Sequence, residues 1–474
     1  MEGHLFSAAL SGSFLASCLL FAAVGRALRE PYMDEVFHLP QAQRFCQGHF
    51  TEWDPMITTL PGLYLLSVGV VKPAGWLLGW PEQVVCSIGA LRFVNLLFSA
   101  GNFYLLHLLL CRTQPRHKQA WCPRPLLQAS SGIQRVLCTV ALAAFPPLYF
   151  FNFLYYTDVG SVFFTLFSYL MCLYGNHKTA ALLGAGAVLF RQTNVVWVAF
   201  CAGSVCAPKL AEAWQAELRV RPAGGGPLQR GWALARFLGI FLGRREQLWA
   251  LLPALWPYAL LLLLFSAFVL LNGGVAVGDR DSHEACLHLP QLFYFCSFTL
   301  LFSCPHLATP SRLRAFLGWA RRRRALFLLL TVACMLLVWR FTYAHKYLLA
   351  DNRHYTFYVW RRLLQRHPAV KYLLAPAYVF AGWAILDSLR AKSIFWTLTF
   401  LVCLLAATVP QRLLEFRYFI LPYLIYRLNV PLPPTARLVC ELAAHTAVNA
   451  LTFYVFLNKP FRWPDSPDLQ RFMW

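Results

Sequence analysis

The sequence predicts an all-α polytopic membrane protein of about 11 to 13 helices, and three observations carry that prediction. Hydrophobic residues make up 58% of the 474-residue chain, charged residues only 13%, and the mean hydropathy is +0.51. Such a balance cannot be wrapped into a water-facing globule. Apolar runs of roughly 17 to 25 residues recur along the whole length, each long enough to cross ~30 Å of hydrocarbon as a helix. The net charge of +22 is gathered into tracts between those runs: Arg112–Arg135, Lys209–Arg245, Arg312–Arg324 and Arg390–Lys392. That is the pattern of cytosolic loops under the positive-inside rule. The tracts alternate with spans and have no folded domain around them, which argues against nucleic acid as a partner. The chain 1–474 therefore reads as one membrane domain.

The first run, Leu5–Ala27, has no basic flank before it and no small-residue cleavage site after it, so it reads as a retained span. With the basic tracts in the cytosol, residues 28–86 become a long first loop on the opposite face. Within it Pro61–Gly79, broken by Lys72 and Pro73, is expected to lie along the membrane surface, leaving Ser87–Cys111 as the second span. Spans follow at Val136–Tyr155 and Val159–Tyr174. Thr179–Phe190 and Val195–Cys206 are each short, and are expected to be half-spanning helices meeting at Arg191, Gln192, Thr193 and Asn194. Interrupted helices of that kind usually line a cavity. A basic loop over 207–247 carries the linker-like Gly224-Gly225-Gly226. The remaining spans fall near Leu248–Leu271, Leu289–Pro305, Ala325–Phe341, Val370–Leu389, Ile394–Pro410, Phe416–Leu428 and Leu438–Leu457. The fifteen cysteines are scattered, mostly in apolar runs such as those of Cys18, Cys172 and Cys334. Their spacing suggests small core hydrophobes rather than a zinc site or a disulfide framework. No Asn-x-Ser/Thr sequon occurs.

Acidic residues are scarce, 20 in all, yet Asp34, Glu35, Asp54, Asp158, Asp279, Asp281, Glu284, Asp351 and Glu415 fall on or beside the face opposite the basic tracts. A carboxylate beside hydrocarbon is costly, which marks such positions for function. The sharpest cluster follows the first span, where Asp34, Glu35, His38 and Gln41 stand together at the membrane surface. A base there could take a proton from an acceptor hydroxyl while a sugar's anomeric carbon is attacked and phosphate departs. Cations would stabilise the departing charge, and Arg191, His345, Lys346, Arg353, His354 and Arg417 are the candidates, Arg being suited to binding two phosphate oxygens together. Pairing with Asp351 or Glu415 is the structural alternative for Arg353 and Arg417, whereas Arg191 has no acidic neighbour in sequence. His283 and Glu284 lack the ligand spacing of a metal site, so no metal is expected.

The strings Tyr32-Met33-Asp34-Glu35-Val36-Phe37-His38-Leu39-Pro40-Gln41, Phe190-Arg191-Gln192-Thr193-Asn194, Gly278-Asp279-Arg280 with Ser282-His283, and Leu348-Leu349-Ala350-Asp351-Asn352-Arg353-His354-Tyr355 closely resemble the dolichyl-phosphate-glucose-dependent alpha-1,2-glucosyltransferase family of N-glycan precursor assembly. The resemblance runs from the first span to Arg471-Phe472-Met473-Trp474. It implies a GT-C-like bundle in the endoplasmic reticulum membrane with its site on the lumenal side. It further implies dolichyl phosphate glucose as donor, a dolichyl-pyrophosphate-linked diglucosylated oligosaccharide as acceptor, membrane lipid as surroundings, no cofactor, and inversion at the anomeric carbon. The resemblance also implies an acidic base supplied by the first loop, which by position would be Asp34, with Glu35 either its neighbour for acceptor binding or an alternative base. The candidate substrate-binding residues are Glu35, His38, Gln41, Arg191, Gln192, Asp279, His283, His345, Lys346, Asp351, Asn352, Arg353, His354 and Arg417. A transporter is the rival class, but a single helix break and no internal repeat disfavour it.

Overall fold

The computed structural model describes residues 2–114, 125–220, 227–243, 245–280 and 284–474. Hydrocarbon offers the backbone no hydrogen-bond partners, so apolar runs satisfy themselves as helices, and the chain folds as an all-α membrane bundle. Among the described residues six helices are long and apolar enough to cross a membrane: Glu2–Ala27, Ile88–Thr113, Gln192–Val220, Trp249–Asn272, Arg324–Phe341 and Thr435–Asn458. Shorter apolar helices, among them Thr157–Leu173, His177–Phe190, Pro290–Phe302 and Ile394–Thr408, pack between them. Several starts are capped by side chains that accept orphan N–H groups: Ser87 from Ala90, Asn176 from Thr179 and Ser393 from Trp396.

Contacts between helix ends sort the bundle into two faces. On one, Arg135 pairs with Glu2 at 2.7 Å, Arg112 donates to the Leu173 carbonyl at 2.9 Å and Arg312 pairs with Asp387 at 3.3 Å; these are the ends that carry the basic tracts. The other face holds the first loop and the C-terminal tail, which meet where the Tyr32 hydroxyl donates to the Arg471 carbonyl at 2.7 Å.

The first loop is built as expected from helices lying across the bundle end. Glu35–Cys46 packs on Gly62–Leu78. Gly62 passes so close to the end of the His177–Phe190 helix that a Cβ there would stand 2.7 Å from the Leu189 backbone. Gly75, near the other end of the Gly62–Leu78 helix, packs on Val85, beside the start of Ile88–Thr113, so the segment spans the bundle end rather than its depth. Its outward Leu65, Trp76 and Leu77 are exposed, as suits an interfacial helix.

Two expectations are corrected. Cys46 and Cys86 form a disulfide, with Cα atoms 6.5 Å apart, fastening the end of the Glu35–Cys46 helix to the entry of the second span. Their 40-residue separation gives no motif, and only the folding back of the loop makes them neighbours. The half-spanning pair is instead an antiparallel hairpin. His177–Phe190 runs to the turn, and Val195–Val220 returns as one 26-residue helix, roughly 39 Å long. Asn194 closes the turn by donating to the Ala187 carbonyl and the Ser161 hydroxyl, both at 2.7 Å. Apolarity ends near Cys206, but good helix formers, Lys209-Leu210-Ala211-Glu212 among them, carry the helix onward. Gly224, Gly225 and Gly226 lie outside the described residues.

The loop is anchored by a buried ion pair. Both oxygens of Glu35 receive Arg92, at 2.8 Å from Nε and 2.6 Å from Nη2, while the N–H groups of Tyr32 and Tyr155 donate to the same carboxylate at 3.1 and 2.6 Å. Arg92 also donates to the carbonyls of Leu28 and Glu30. Removing one partner of such a pair leaves an uncompensated buried charge, so Glu35→Leu should cost about 3 to 5 kcal/mol. Thermal unfolding of the purified protein in detergent reads the loss; an unchanged melting temperature would show that the pair does not anchor the loop.

Candidate functional site

The site begins with a turn. Met33 takes a positive φ of 57°, an uncommon conformation for a residue with a side chain, and Asp34 follows as the residue before the Glu35–Cys46 helix. The turn is held from both sides by the Glu35 carboxylate and by Tyr156, whose hydroxyl accepts the Asp34 N–H at 3.1 Å. Adjacent residues on a helix point about 100° apart, so while Glu35 faces the core, Asp34 faces outward.

Asp34 Oδ2 accepts from Arg417 Nη1 at 3.0 Å. Arg417 also pairs with Glu415 and stands 3.6 Å from Asp158; Asp158 in turn pairs with Arg191. The two guanidiniums rest on aromatic rings, Arg417 on Phe151 and Tyr156 and Arg191 on Tyr418. Four remote segments thus end in one chain of alternating charge. Only one of its carboxylates is open: the Asp34 side chain is 41% exposed, against 1% for Asp158 and 7% for Glu415.

Burial in the loop cluster would raise the Asp34 carboxyl, but Arg417, together with His38 and His354, holds the group below its ordinary value. Asp34 is therefore ionised at neutral pH. His38, one turn along the same helix, is pushed down chiefly by burial and stays neutral there, with Nδ1 2.6 Å from the Tyr64 hydroxyl. Arg191 and Arg417 flank a small cavity that Asp158, Asn194, Trp197 and Tyr418 also line.

The other residues singled out in the sequence are dispersed. Glu35 is fully buried and bonded to Arg92 and the Tyr155 N–H, where it holds the turn that carries Asp34. Gln41 is buried too, donating to the Glu52 carbonyl and accepting from the Asp54 N–H. Gln192 donates to the Thr58 carbonyl at 2.7 Å, and Asp279 donates its N–H to the Pro55 carbonyl; both brace the first loop. His283 lies outside the described residues. His345 is buried and caps Lys346–Ala350, while Lys346 is exposed over the Tyr347 ring.

Asn352, Arg353 and His354 bind the C-terminal tail, and Asp351 steadies Arg353. Asp351 pairs with Arg353 at 2.7 Å, Arg353 reaches Gln470 and lies over Trp463, Asn352 accepts from Trp463 Nε1, and His354 Nδ1 meets the Trp474 carbonyl at 3.0 Å. The tail links this loop to the charge chain, because the Trp474 ring lies 5.8 Å from that of Phe416. Asp158, Tyr156 and Glu415 join the site although the sequence did not single them out as binding residues. Asp158 carried a signal: it is a lone acid between two apolar runs.

The model of the DIE2/ALG10 family matches residues 28–428. A Mus musculus protein named Dol-P-Glc:Glc(2)Man(9)GlcNAc(2)-PP-Dol alpha-1,2-glucosyltransferase is 65% identical, over 100% of this chain and 99% of its own length. A Homo sapiens protein of the same name is 63% identical over 100% and 99%, and a Drosophila melanogaster one 35% identical over 98% of each. No solved structure matches the chain.

Arg417→Leu would leave Asp34, Asp158 and Glu415 facing one another without their shared cation, a loss of about 3 to 5 kcal/mol. Asp34 is held below its ordinary value, so the stability it contributes is present above the unfolded carboxyl pKa and fades as pH falls through the folded one. The gap in melting temperature between wild type and Arg417→Leu should accordingly be widest near neutral pH and narrow on acidification. A gap that is constant with pH would detach Arg417 from the ionisation of Asp34.

Proposed function

The chain belongs to the DIE2/ALG10 family, and on that premise we propose that it transfers glucose from dolichyl phosphate glucose to the diglucosylated lipid-linked oligosaccharide. The product carries the terminal α-1,2-linked third glucose. The protein acts in the endoplasmic reticulum membrane, with the basic tracts in the cytosol and the Asp34 face toward the lumen.

The observation that carries the chemistry is the pairing of exposure with ionisation at Asp34, the one open carboxylate of the charge chain, held deprotonated by Arg417. Asp34 accepts the proton of the acceptor hydroxyl as its oxygen attacks C1 of the donor glucose. The C1–oxygen bond to phosphate breaks on the opposite side, so a β-linked donor gives an α product and dolichyl phosphate departs. The leaving group needs positive charge rather than a metal or an organic cofactor, and Arg191 and Arg417, fixed on aromatic rings beside the cavity, supply it. Tyr156 and His38 hold the loop that aims the base. The first-loop helices and the C-terminal tail wall the site, with membrane lipid outside.

Asp34→Asn keeps the shape and removes the base, so terminal-glucose transfer should fall roughly 10²- to 10⁴-fold while the protein remains abundant. Full activity in membranes carrying that variant would remove Asp34 from the mechanism. Arg191→Ala should raise the KM for dolichyl phosphate glucose on the order of tenfold, the worth of one charge-assisted hydrogen bond. An unchanged donor dependence would reject its contact with phosphate.

A further inference from the structure

A second pocket opens on the same face, lined by Phe357, Tyr358, Arg361, Arg362 and Arg366, with a volume of about 480 Å³. Its backbone is unusual: the short Tyr355–Tyr358 helix passes into a π-helical turn over Val359–Leu364, a form that occurs frequently at functional sites. That turn presents Arg361 over the Phe357 ring at 5.6 Å and Arg362 over the Tyr358 ring at 5.4 Å.

The three arginines are exposed, and among the described residues none of them has a carboxylate partner. The sequence offers none nearby either, since no Asp or Glu stands between Asp351 and Asp387. Topology does not account for the cluster. The positive-inside rule explains basic tracts on the other face and disfavours them here. Three uncompensated guanidiniums converging on a pocket are suited to an anion with several oxygens.

The position says what carries that anion. Leu363 within the π-helical turn, Leu373 just after it and Trp339 near the end of Arg324–Phe341 are all exposed apolar side chains, placing the pocket at the bilayer edge. On the inner side Tyr358 contacts Phe472 of the tail, and the tail separates the pocket from the charge chain around Arg417. A phosphate bound here is therefore not the one leaving the reacting sugar.

We propose that this pocket holds the diphosphate head of the lipid-linked acceptor, anchoring its reducing end while the glucosylated end reaches Asp34. The inference rests on the glucosyltransferase reading and deepens it. The shared chemistry is a membrane-borne phosphate, and an anionic phospholipid is the other source.

The test is an Arg361→Gln, Arg362→Gln, Arg366→Gln triple variant, in which exposed side chains are replaced without disturbing the core. With the diphosphate-linked acceptor its KM should rise at least tenfold, with kcat and the donor KM unchanged. With the same oligosaccharide released from its diphosphate, wild type and variant should behave alike. A wild-type KM on the linked acceptor, or an equal rise on both acceptors, overturns the proposal. Equilibrium binding of dolichyl diphosphate provides a readout independent of turnover, expected to weaken at least tenfold in the variant; equal binding overturns the proposal even if no transfer is observed. Loss of the difference when phosphatidylinositol is added to phosphatidylcholine vesicles would assign the pocket to bulk anionic lipid instead. Absence of transfer by wild type on either acceptor counts against the glucosyltransferase reading, and the binding arm then decides the pocket alone.

Discussion

Arg417 is the residue on which the functional face depends. Its guanidinium joins Asp34 of the first loop, Asp158 at the head of the Thr157–Leu173 helix and its own neighbour Glu415. Two of these partners are carboxylates largely removed from water, and each would be expensive alone. Together with Arg191 on Asp158, the arrangement neutralises most of that charge while leaving one carboxylate accessible. The cation that makes the cluster tolerable also keeps Asp34 ionised, so structural support and readiness for proton acceptance have one cause.

Around that centre, the first loop is secured at several independent points. The Glu35–Arg92 pair fixes its start, the Cys46–Cys86 disulfide its middle, Gln192 its Thr58 turn, and Gly278-Asp279 its Pro55 turn. The C-terminal tail closes the remaining side through Arg471 at Tyr32 and through the Asp351–His354 loop. Several motif residues that read as substrate contacts also fasten the walls. A loop site can be exact only if its backbone is held, and a lipid-bounded face has few helices available to hold it.

Much of this was legible in the sequence. Basic tracts sorted the loops into two sets, because charges stay out of hydrocarbon and gather at helix ends, and the long first loop with its short helices followed from the parity of the spans. The Arg191 break was visible as a polar interruption, but its form was not. A turn between two crossing helices and a midplane break look alike when apolarity is the only ruler, and Asn194 decided the matter by closing the hairpin onto Ala187 and Ser161. With that turn, the feature most suggestive of a transporter becomes the corner that delivers Arg191 to Asp158.

The sequence by itself determined the membrane class, and it marked the Asp34-Glu35 step as a pair of carboxylates at the head of the first loop. It could not choose between the two carboxylates, which are adjacent in sequence and similar in acidity. Tertiary structure set their surroundings apart, because those rest on partners far along the chain. Glu35 meets Arg92, 57 residues away, and is sealed into the core, while Asp34 meets Arg417, 383 residues away, and stays open. Helical geometry points neighbours in different directions, and only the packed bundle settles which direction is interior and which is open.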